Sequence, residues 1–94
     1  MAAKRMLGGR KELTAEKLGK IPRQSGIYLF RDRQGDPLKV GMAGARRLQE
    51  RVKENLSKGE VPGAKTVQVR PTSGTKEAER LEKEYIKRYK PKLN

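Results

Sequence analysis

The pattern of apolar and polar residues predicts three β-strands. The run "GIYLF" (26–30) is rich in β-forming residues, and "PLKVG" (37–41) follows it after the polar stretch "RDRQGD". The two runs are close enough in sequence to form an antiparallel hairpin, with Gln34 and Gly35 at its turn. A third strand is predicted for "KTVQVRP" (65–71), because apolar and polar residues alternate along it.

Apolar residues at helical spacing predict two helices on either side of the third strand. In "GARRLQERVKENLSKG" the residues Leu48, Val52 and Leu56 recur every four positions, and Gly59 is expected to end the helix. The stretch "SGTKEAERLEKEYIKRYKP" shows the clearest helical periodicity, and Thr75 is its predicted N-cap. The second helix should therefore pack one face against the sheet.

The order of these elements predicts an α+β fold for a single small domain. We expect a three-stranded antiparallel sheet, in the order β-hairpin, helix, strand, helix, with the helices flanking it. This domain would span residues 13–94 and begin with a short helical turn capped by Thr14. Residues 1–12 carry four Lys or Arg and a Gly-Gly pair, which predicts a flexible basic arm.

The composition excludes several kinds of chemistry. The chain has no cysteine and no histidine, so disulfides and zinc bound by thiolate or imidazole are excluded. Any general base must therefore be a carboxylate, a tyrosine, a lysine or metal-bound water. Apolar runs are far shorter than the roughly 20 residues of a membrane span, and the N-terminus lacks the apolar centre of a signal peptide. We expect a cytoplasmic protein without a membrane partner.

The charge of the chain predicts a polyanionic partner. The net charge is +13, from 24 Lys and Arg against 11 Asp and Glu. Such a field attracts nucleic acid through counterion release, without preference for sequence. Solubility or heat adaptation is the alternative, but heat adaptation adds acids together with bases. An anionic membrane is a weaker candidate, because no strongly amphipathic basic helix is present.

One acidic residue of the last helix lies close to its apolar stripe. Glu82 is four residues after Ala78 and four before Ile86, so it falls on or beside the buried face. A carboxylate held partly out of water needs a cation or hydrogen bonds. The pattern alone favours a structural ion pair with an arginine or an outward-facing boundary position. The functional alternative is a ligand for a hard divalent cation such as Mg²⁺.

Two further polar residues have both a structural and a functional interpretation. Arg51 adjoins Val52 near the apolar face of its helix. Either its aliphatic part packs there while its charged end reaches solvent, or its guanidinium is fixed and binds phosphate.

In the hairpin, a Gln34-Gly35 turn would set Phe30 opposite Lys39. Tyr28 would then be the diagonal neighbour of Lys39 on the same face. A shift of one residue would place the two side chains on opposite faces.

Four motifs in this order resemble those of a known family. They are "GIY" at Gly26–Tyr28, "KVG" at Lys39–Gly41, "LQER" ending at Arg51, and the C-terminal run "EAERLEKEYIKRYKPKLN". Together they resemble the GIY-YIG nuclease domain family. The C-terminal run is similar to the corresponding segment of the excision-repair nuclease UvrC. The resemblance covers roughly residues 20–94 and is carried by the ordered set, since "GIY" alone would be uninformative.

The resemblance implies a metal-dependent endonuclease that hydrolyses phosphodiester bonds in DNA. In such enzymes Mg²⁺ or Mn²⁺ would be bound by the helix glutamate, here Glu82. Tyr28 would take a proton from the attacking water, and Arg51 would stabilise charge on the scissile phosphate. Asn94 would help to close the site. Lys39 completes the implied catalytic set, although the family usually has tyrosine at its position.

The departures from the family pattern leave alternatives open. The Lys39 ammonium could lower the pKa of Tyr28 and favour the phenolate, or it could contact phosphate in a domain that does not cut. Asn55 stands where several relatives carry histidine. The stretch between Gly41 and Arg51 is about two residues longer than is usual in the family. Arg46 and Arg47 are therefore alternatives to Arg51 as the catalytic arginine. The candidate contacts to nucleic-acid phosphates are Arg46, Arg47 and Lys53.

Two other functions remain open at the level of sequence. The first is a non-catalytic basic module that binds DNA or RNA, and the second is a part of a larger assembly such as a ribosome-associated protein. No zinc finger or long recognition helix is predicted, so targeting would come from branched or damaged DNA structure or from a partner domain or protein. DNA is favoured over RNA, and nucleoid association is expected in a prokaryote. Convergence of the polar groups within about 4–8 Å would favour the nuclease.

Overall fold

The computed structural model describes residues 7–94 and has the predicted α+β architecture. One antiparallel sheet is flanked by helices on both faces, which confirms the fold class predicted from the sequence. The elements are β1 (Lys11–Glu12), α1 (Ala15–Leu18), β2 (Gly26–Asp32), β3 (Pro37–Ala43), α2 (Leu48–Ser57), β4 (Ala64–Pro71) and α3 (Thr75–Tyr89).

The sheet has four strands rather than the three predicted, in the order β1-β4-β2-β3. The additional strand is β1, in which Lys11 pairs with Val67 of β4. A strand of two residues is too short to show any alternation, so the sequence could not indicate it. Part of the predicted flexible arm, residues 1–12, is thus hydrogen-bonded to the sheet, and Gly8 also donates its N–H to the carbonyl of Val69 at 3.0 Å. Residues 1–6 of that arm lie outside the described residues.

The register of the hairpin agrees with the prediction. Phe30 pairs with Lys39, and Tyr28 pairs with Gly41. Side chains alternate between the two faces of a sheet, so Tyr28 and Lys39 belong to the same face. At the turn, Gly35 has a φ of 89°, a conformation that glycine adopts without the penalty of a side chain.

Both faces of the central strand are buried, which explains its continuous apolar run. On one face, Tyr28 and Phe30 pack against Leu48 and Val52 of α2. On the other face, the residues that pack together come from β2, β3 and α3, and they are Ile27, Leu29, Val40, Ala78, Leu81 and Tyr85. Within the part of the chain that the structure covers, no helix is long and apolar enough to cross a bilayer.

The caps of the helices agree with the sequence in one case and differ in another. Thr14 accepts a hydrogen bond from the N–H of Lys17 at 3.2 Å, as predicted for α1. The N-cap of α3 is Gly74, whereas Thr75 was predicted, so that assignment is wrong by one residue. In the first turn the Glu77 carboxylate accepts the N–H of Ser73, the residue before this N-cap, at 2.7 Å.

The last residues of the chain cover the open edge of β3. The N–H of Leu93 donates to the carbonyl of Leu38 at 2.7 Å. The Asn94 side chain then binds both backbone groups of Val40: its Oδ1 accepts the N–H at 2.7 Å and its Nδ2 donates to the carbonyl at 2.9 Å. These bonds satisfy edge groups that would otherwise be unpaired, and they place Asn94 beside the strand that carries Lys39 and Gly41.

Candidate active site

The phenol of Tyr28 is buried between the sheet and α2. The residue is 1% exposed, and its Oη accepts a hydrogen bond from Nδ2 of Asn55 at 2.9 Å. The same Nδ2 donates to the Arg51 carbonyl one turn earlier at 2.8 Å, so the amide is fixed to its own helix. The other amide atom, Oδ1 of Asn55, is buried and has no hydrogen-bond partner among the described residues 7–94.

Gly41 leaves the space that the Tyr28 ring occupies. A Cβ atom built at Gly41 would lie 2.7 Å from Cε1 of Tyr28 and closer still to its Cζ and Oη. Real Cβ atoms essentially never approach other atoms so closely. The phenol therefore crosses directly over the backbone of β3 at the position paired with it, which carries its oxygen toward the edge of the sheet.

Burial raises the pKa of Tyr28 above its ordinary value, and the charge of Glu82 acts in the same direction. The charge of Arg51 and the hydrogen bond from Asn55 act against it by favouring the phenolate. Because burial outweighs these groups, the net shift of the Tyr28 pKa is upward, whereas one of the two interpretations of Lys39 in the sequence would lower it. The same interactions place Arg51 and Glu82 within electrostatic range of the phenol.

Glu82 of α3 is half-buried and makes no ion pair within 4.0 Å with any residue in 7–94. Burial raises its pKa, and the neighbouring Glu79 adds to that rise. Lys39 and Arg51 oppose it with their positive charge, together with Lys83 on the same helix. The structure thus differs from the structural ion pair that the pattern of the sequence favoured.

Arg51 is held by a carboxylate of its own helix. Its Nη1 donates to Oε1 of Glu54 at 3.0 Å, and the other oxygen of Glu54 accepts Nη2 of Arg47 at 2.8 Å. Arg47 also donates through Nε to Glu50 at 3.0 Å. The hydrogen bond from Arg51 lowers the pKa of Glu54, which keeps this carboxylate charged. Arg51 is therefore oriented, and it is 35% exposed rather than free in solvent.

Lys39 lies within reach of carboxylates from two different segments. Its Nζ is 3.8 Å from Oε1 of Glu60, in the segment after α2, and its side chain is 24% exposed. Its charge also acts on Glu82 of α3, where it opposes the rise in pKa that burial causes. The ammonium thus contributes positive charge near the same helix carboxylate as Arg51.

The remaining candidate residues are not all in the same environment. Arg47 is already bound by two carboxylates, and Lys53 donates to Oε1 of Gln49 at 3.1 Å. Arg46 is exposed and has a φ of 61°. Asn94 is bound to the β3 backbone at Val40, adjacent in sequence to Lys39 and Gly41. Glu82 therefore lies within electrostatic range of Tyr28, Lys39 and Arg51, and Asn94 is bound at the edge of the strand that carries Lys39.

The site offers a single protein carboxylate, that of Glu82, and such a site fits a hard divalent cation. Among residues 7–94, no group of three or more His, Cys, Asp or Glu could hold a metal ion. Glu82 is a half-buried carboxylate that pairs with no Lys or Arg in the described residues 7–94. Mg²⁺ is commonly bound by one or two carboxylates and completes its coordination with waters and phosphate oxygens. A structural zinc site, which needs four protein ligands, does not fit.

Sequence reasoning missed the roles of three residues. Glu54 orients Arg51, Asn55 binds the Tyr28 phenol, and Gly41 makes room for its ring. The signal for Asn55 was available, because a polar residue follows Val52 by three positions and so falls on the apolar stripe of α2. The role of Gly41 could be read only from the register.

Solved structures with the same fold include a nuclease domain. The GIY-YIG N-terminal endonuclease domain of UvrC from Thermotoga maritima, bound to its catalytic divalent cation magnesium, is 29% identical, with a TM-score of 0.72 over 84% of this chain and 92% of that chain. A point mutant of that domain, also bound to its catalytic divalent cation, is 30% identical with a TM-score of 0.68, over 84% and 91% of the two chains.

Curated sequences give the same relationship. The UvrABC system protein C of Carboxydothermus hydrogenoformans is 33% identical in an alignment of 88 positions that covers 84% of this chain. That of Anaeromyxobacter sp. is 36% identical in an alignment of 87 positions that covers 82% of this chain. The chain spans only 14% and 12% of the length of these two relatives.

The fold, the order of the motifs and these relatives define a GIY-YIG domain of the kind found at the N-terminus of UvrC. More particularly, residues 9–88 match the family described as "Domain of unknown function (DUF7508)", and the chain belongs to that family.

Proposed function

We propose that the domain is a metal-dependent endonuclease that hydrolyses phosphodiester bonds in DNA. The observation that carries this proposal is Glu82, a half-buried carboxylate without an ion-pair partner among residues 7–94, in a chain of net charge +13. A module that only binds nucleic acid has no use for an acid among its cations, because the acid repels phosphate. A hydrolytic site needs one to bind a divalent cation.

Tyr28 is the general base of this proposal. Its oxygen already accepts a hydrogen bond from Asn55, and the Arg51 guanidinium lies within electrostatic range of it. Both interactions are stronger with a phenolate than with a phenol, so they oppose the effect of burial. A phenolate at this position would take a proton from water as the water attacks the phosphorus atom in line.

The cations are assigned to the phosphate. Arg51, held by Glu54, would bring a fixed guanidinium to the negative charge that develops during the attack. Lys39 adds a second positive charge near Glu82 and is assigned to the same phosphate group. Asn94 would act by holding the β3 edge in place beside Lys39.

Glu82 would hold Mg²⁺ or Mn²⁺ in this site. When bound, the ion would neutralise charge on the scissile phosphate and on the leaving oxygen. The magnesium described for the Thermotoga maritima domain supports this assignment.

The chain is proposed to act on DNA in the cytoplasm. Branched or damaged DNA, recognised by its structure, is the expected target, and a partner domain or protein is expected to direct the domain to it. Support comes from the UvrABC system relatives, of which the chain matches only the nuclease-domain-sized part. Recognition of base sequence is not part of the proposal.

A cleavage assay with a matched pair of variants tests the proposal. Glu82→Gln should abolish cutting of supercoiled and branched DNA in Mg²⁺ or Mn²⁺, while binding measured in EDTA stays within about twofold. Glu84→Gln changes the same charge on the exposed face of α3 and should retain cutting. Equal cutting by the two variants would remove Glu82 from the site. A wild-type chain that binds DNA but does not cut it in either metal would be a binding module instead.

A further inference from the structure

Three loops meet at the end of the sheet where β2 begins, and hydrogen bonds hold them together. The carbonyl of Gln24 accepts the first N–H of α2, from Leu48, at 2.9 Å. The carbonyl of Ser25 accepts the N–H of Thr72 at 2.9 Å, and the hydroxyls of these two residues are 3.0 Å apart. Ser25 and Thr72 are both buried, so this end of the domain is a preformed surface.

Two clefts, each of about 370 Å³, open onto this surface and share two arginines, Arg23 and Arg46. One cleft continues along α2 toward Gln49 and Lys53. The other continues over the braced loops toward the N-terminal end of α3. The arginines come from different loops, so a group that bridges the clefts would contact both. We name the two together the Arg23–Arg46 cleft.

Arg23 and Arg46 carry the positive charge of the Arg23–Arg46 cleft, which Glu50 also lines. Neither arginine makes an ion pair or a hydrogen bond within the described part of the chain, residues 7–94. The acidic residues nearby are already used: Glu50 accepts Nε of Arg47 at 3.0 Å, and Glu77 accepts the N–H of Ser73 at 2.7 Å. Two planar guanidinium groups without partners suit a phosphate group, which each can bind through two hydrogen bonds.

The backbone of Arg46 supports a specific role for its side chain. Its φ of 61° lies in the left-handed region, which residues other than glycine seldom adopt. The surrounding hydrogen bonds, including that from the Arg47 N–H to the Gly44 carbonyl at 3.1 Å, hold the turn in this conformation. Unfavourable backbone conformations of this kind concentrate at functional sites.

We propose that the Arg23–Arg46 cleft binds a backbone phosphate of a DNA strand, at a second contact point away from the bond that is cut. Ser25, which lines the cleft and lies just before β2, precedes Tyr28 by three residues, or about 10 Å at the rise of a strand. At about 3.4 Å per nucleotide, this corresponds to roughly three nucleotides. That the ligand is a DNA strand rests on the proposed function. That the cleft binds a phosphate group rests only on its two arginines.

Salt dependence of DNA binding tests the cleft directly. We would measure the affinity for a short fluorescein-labelled duplex over a range of NaCl concentrations, in EDTA and without metal. In the Arg23→Gln/Arg46→Gln variant, the plot of log K against log salt should become less steep, by about 0.9 for each phosphate contact that is lost. Arg33→Gln is the matched control, because Arg33 is exposed in the hairpin turn at the other end of β2. Its slope should stay close to that of the wild type.

Each alternative outcome overturns the proposal. One such outcome is that the double variant and Arg33→Gln reduce the steepness of the salt dependence equally for each arginine replaced. In that case only the overall positive charge of the chain attracts DNA, and the cleft makes no specific contact. If inorganic phosphate at submillimolar concentration and constant ionic strength displaces the duplex, the cleft takes free phosphate rather than a strand. The assay is independent of hydrolysis, so a failure of cleavage would leave the result intact, and a negative result here would leave the proposed nuclease intact.

Discussion

The phenol ring of Tyr28 lies over the α-carbon of Gly41, its partner in the hairpin register. The two motif halves, "GIY" and "KVG", are thus two sides of one packing contact. The first half supplies the ring, and the second supplies the gap that lets the ring reach the edge of the sheet. Lys39 lies two residues before that gap, so exchanging tyrosine for lysine there leaves the contact intact.

Replacing this glycine should disturb the site. In Gly41→Ala the new methyl group would occupy the position of the Tyr28 phenol, so the ring must move. We expect the free energy of unfolding to fall by about 1–3 kcal/mol, measured by urea denaturation, and cleavage to be lost. Gly44→Ala is the control, because its Cβ would meet only Oγ1 of Thr75 at 3.6 Å, an ordinary contact. Unchanged stability and cleavage in Gly41→Ala would contradict the packing argument.

Cleavage should increase with pH in a way that depends on Tyr28. Its pKa is raised above 10.0 by burial, so the phenolate fraction grows about tenfold for each pH unit across the neutral and mildly alkaline range. We therefore expect log(kcat/KM) to rise with a slope of about 1 between about pH 7 and 9. Tyr28→Phe should lose both the rate and the slope, whereas Tyr89→Phe, changed at the end of α3, should keep them. A wild-type profile without this slope would exclude a phenolate base.

The same raised pKa affects stability in the opposite direction. The neutral phenol is favoured in the folded state, so its stabilising contribution is complete below the unfolded pKa of about 10. That contribution is lost as the pH rises from there through the higher pKa of the folded state. Wild-type stability should fall more steeply above about pH 10 than that of Tyr28→Phe, as followed by urea denaturation at each pH. Parallel curves for the two proteins would contradict the raised pKa.

Glu54 is expected to act as a positioning residue for Arg51. Glu54→Gln removes the charge that binds the guanidinium at 3.0 Å, so Arg51 should lose its fixed orientation. We expect kcat to fall about ten- to a hundredfold with little change in KM, as for other small displacements of a catalytic group. Stability should change little, because the pair is only partly buried and such ion pairs contribute about 0–1 kcal/mol. Glu50→Gln removes a carboxylate that binds Arg47 alone, and it should leave kcat near the wild-type value. Equal values of kcat for the two variants would exclude this role.

Asn94 should protect the open edge of β3. Asn94→Ala removes both hydrogen bonds to Val40, at a cost of about 1–2 kcal/mol if the edge is then left poorly satisfied. Hydrogen exchange at the Val40 amide should become faster, and cleavage should weaken as the edge beside Lys39 loosens. Leu93→Ala shortens an exposed side chain but keeps the backbone bond to Leu38, so Val40 should stay protected. Retained protection in Asn94→Ala would show that the side chain is not what holds this edge.

Much of the fold could be read from the sequence. Alternation and helical spacing predicted β2, β3, β4, α2 and α3, and the Gln34-Gly35 turn predicted the correct register of Phe30 and Lys39. Two local features were missed because they depend on contacts distant in sequence or on a competing cap. The first is β1, which forms by pairing with β4, and the second is the start of α3 at Gly74.

For the candidate site, the sequence by itself determined which residues could act. The motifs selected Tyr28, Arg51 and Glu82 by their type and order, since those properties are carried along the chain. Only the tertiary structure decided their state: burial raised the pKa of Tyr28, Glu54 bound Arg51, and Glu82 has no ion-pair partner within the part of the chain that is described. Burial and electrostatic interaction depend on distances through space and on the exclusion of water, and neither is determined until the helices pack against the sheet.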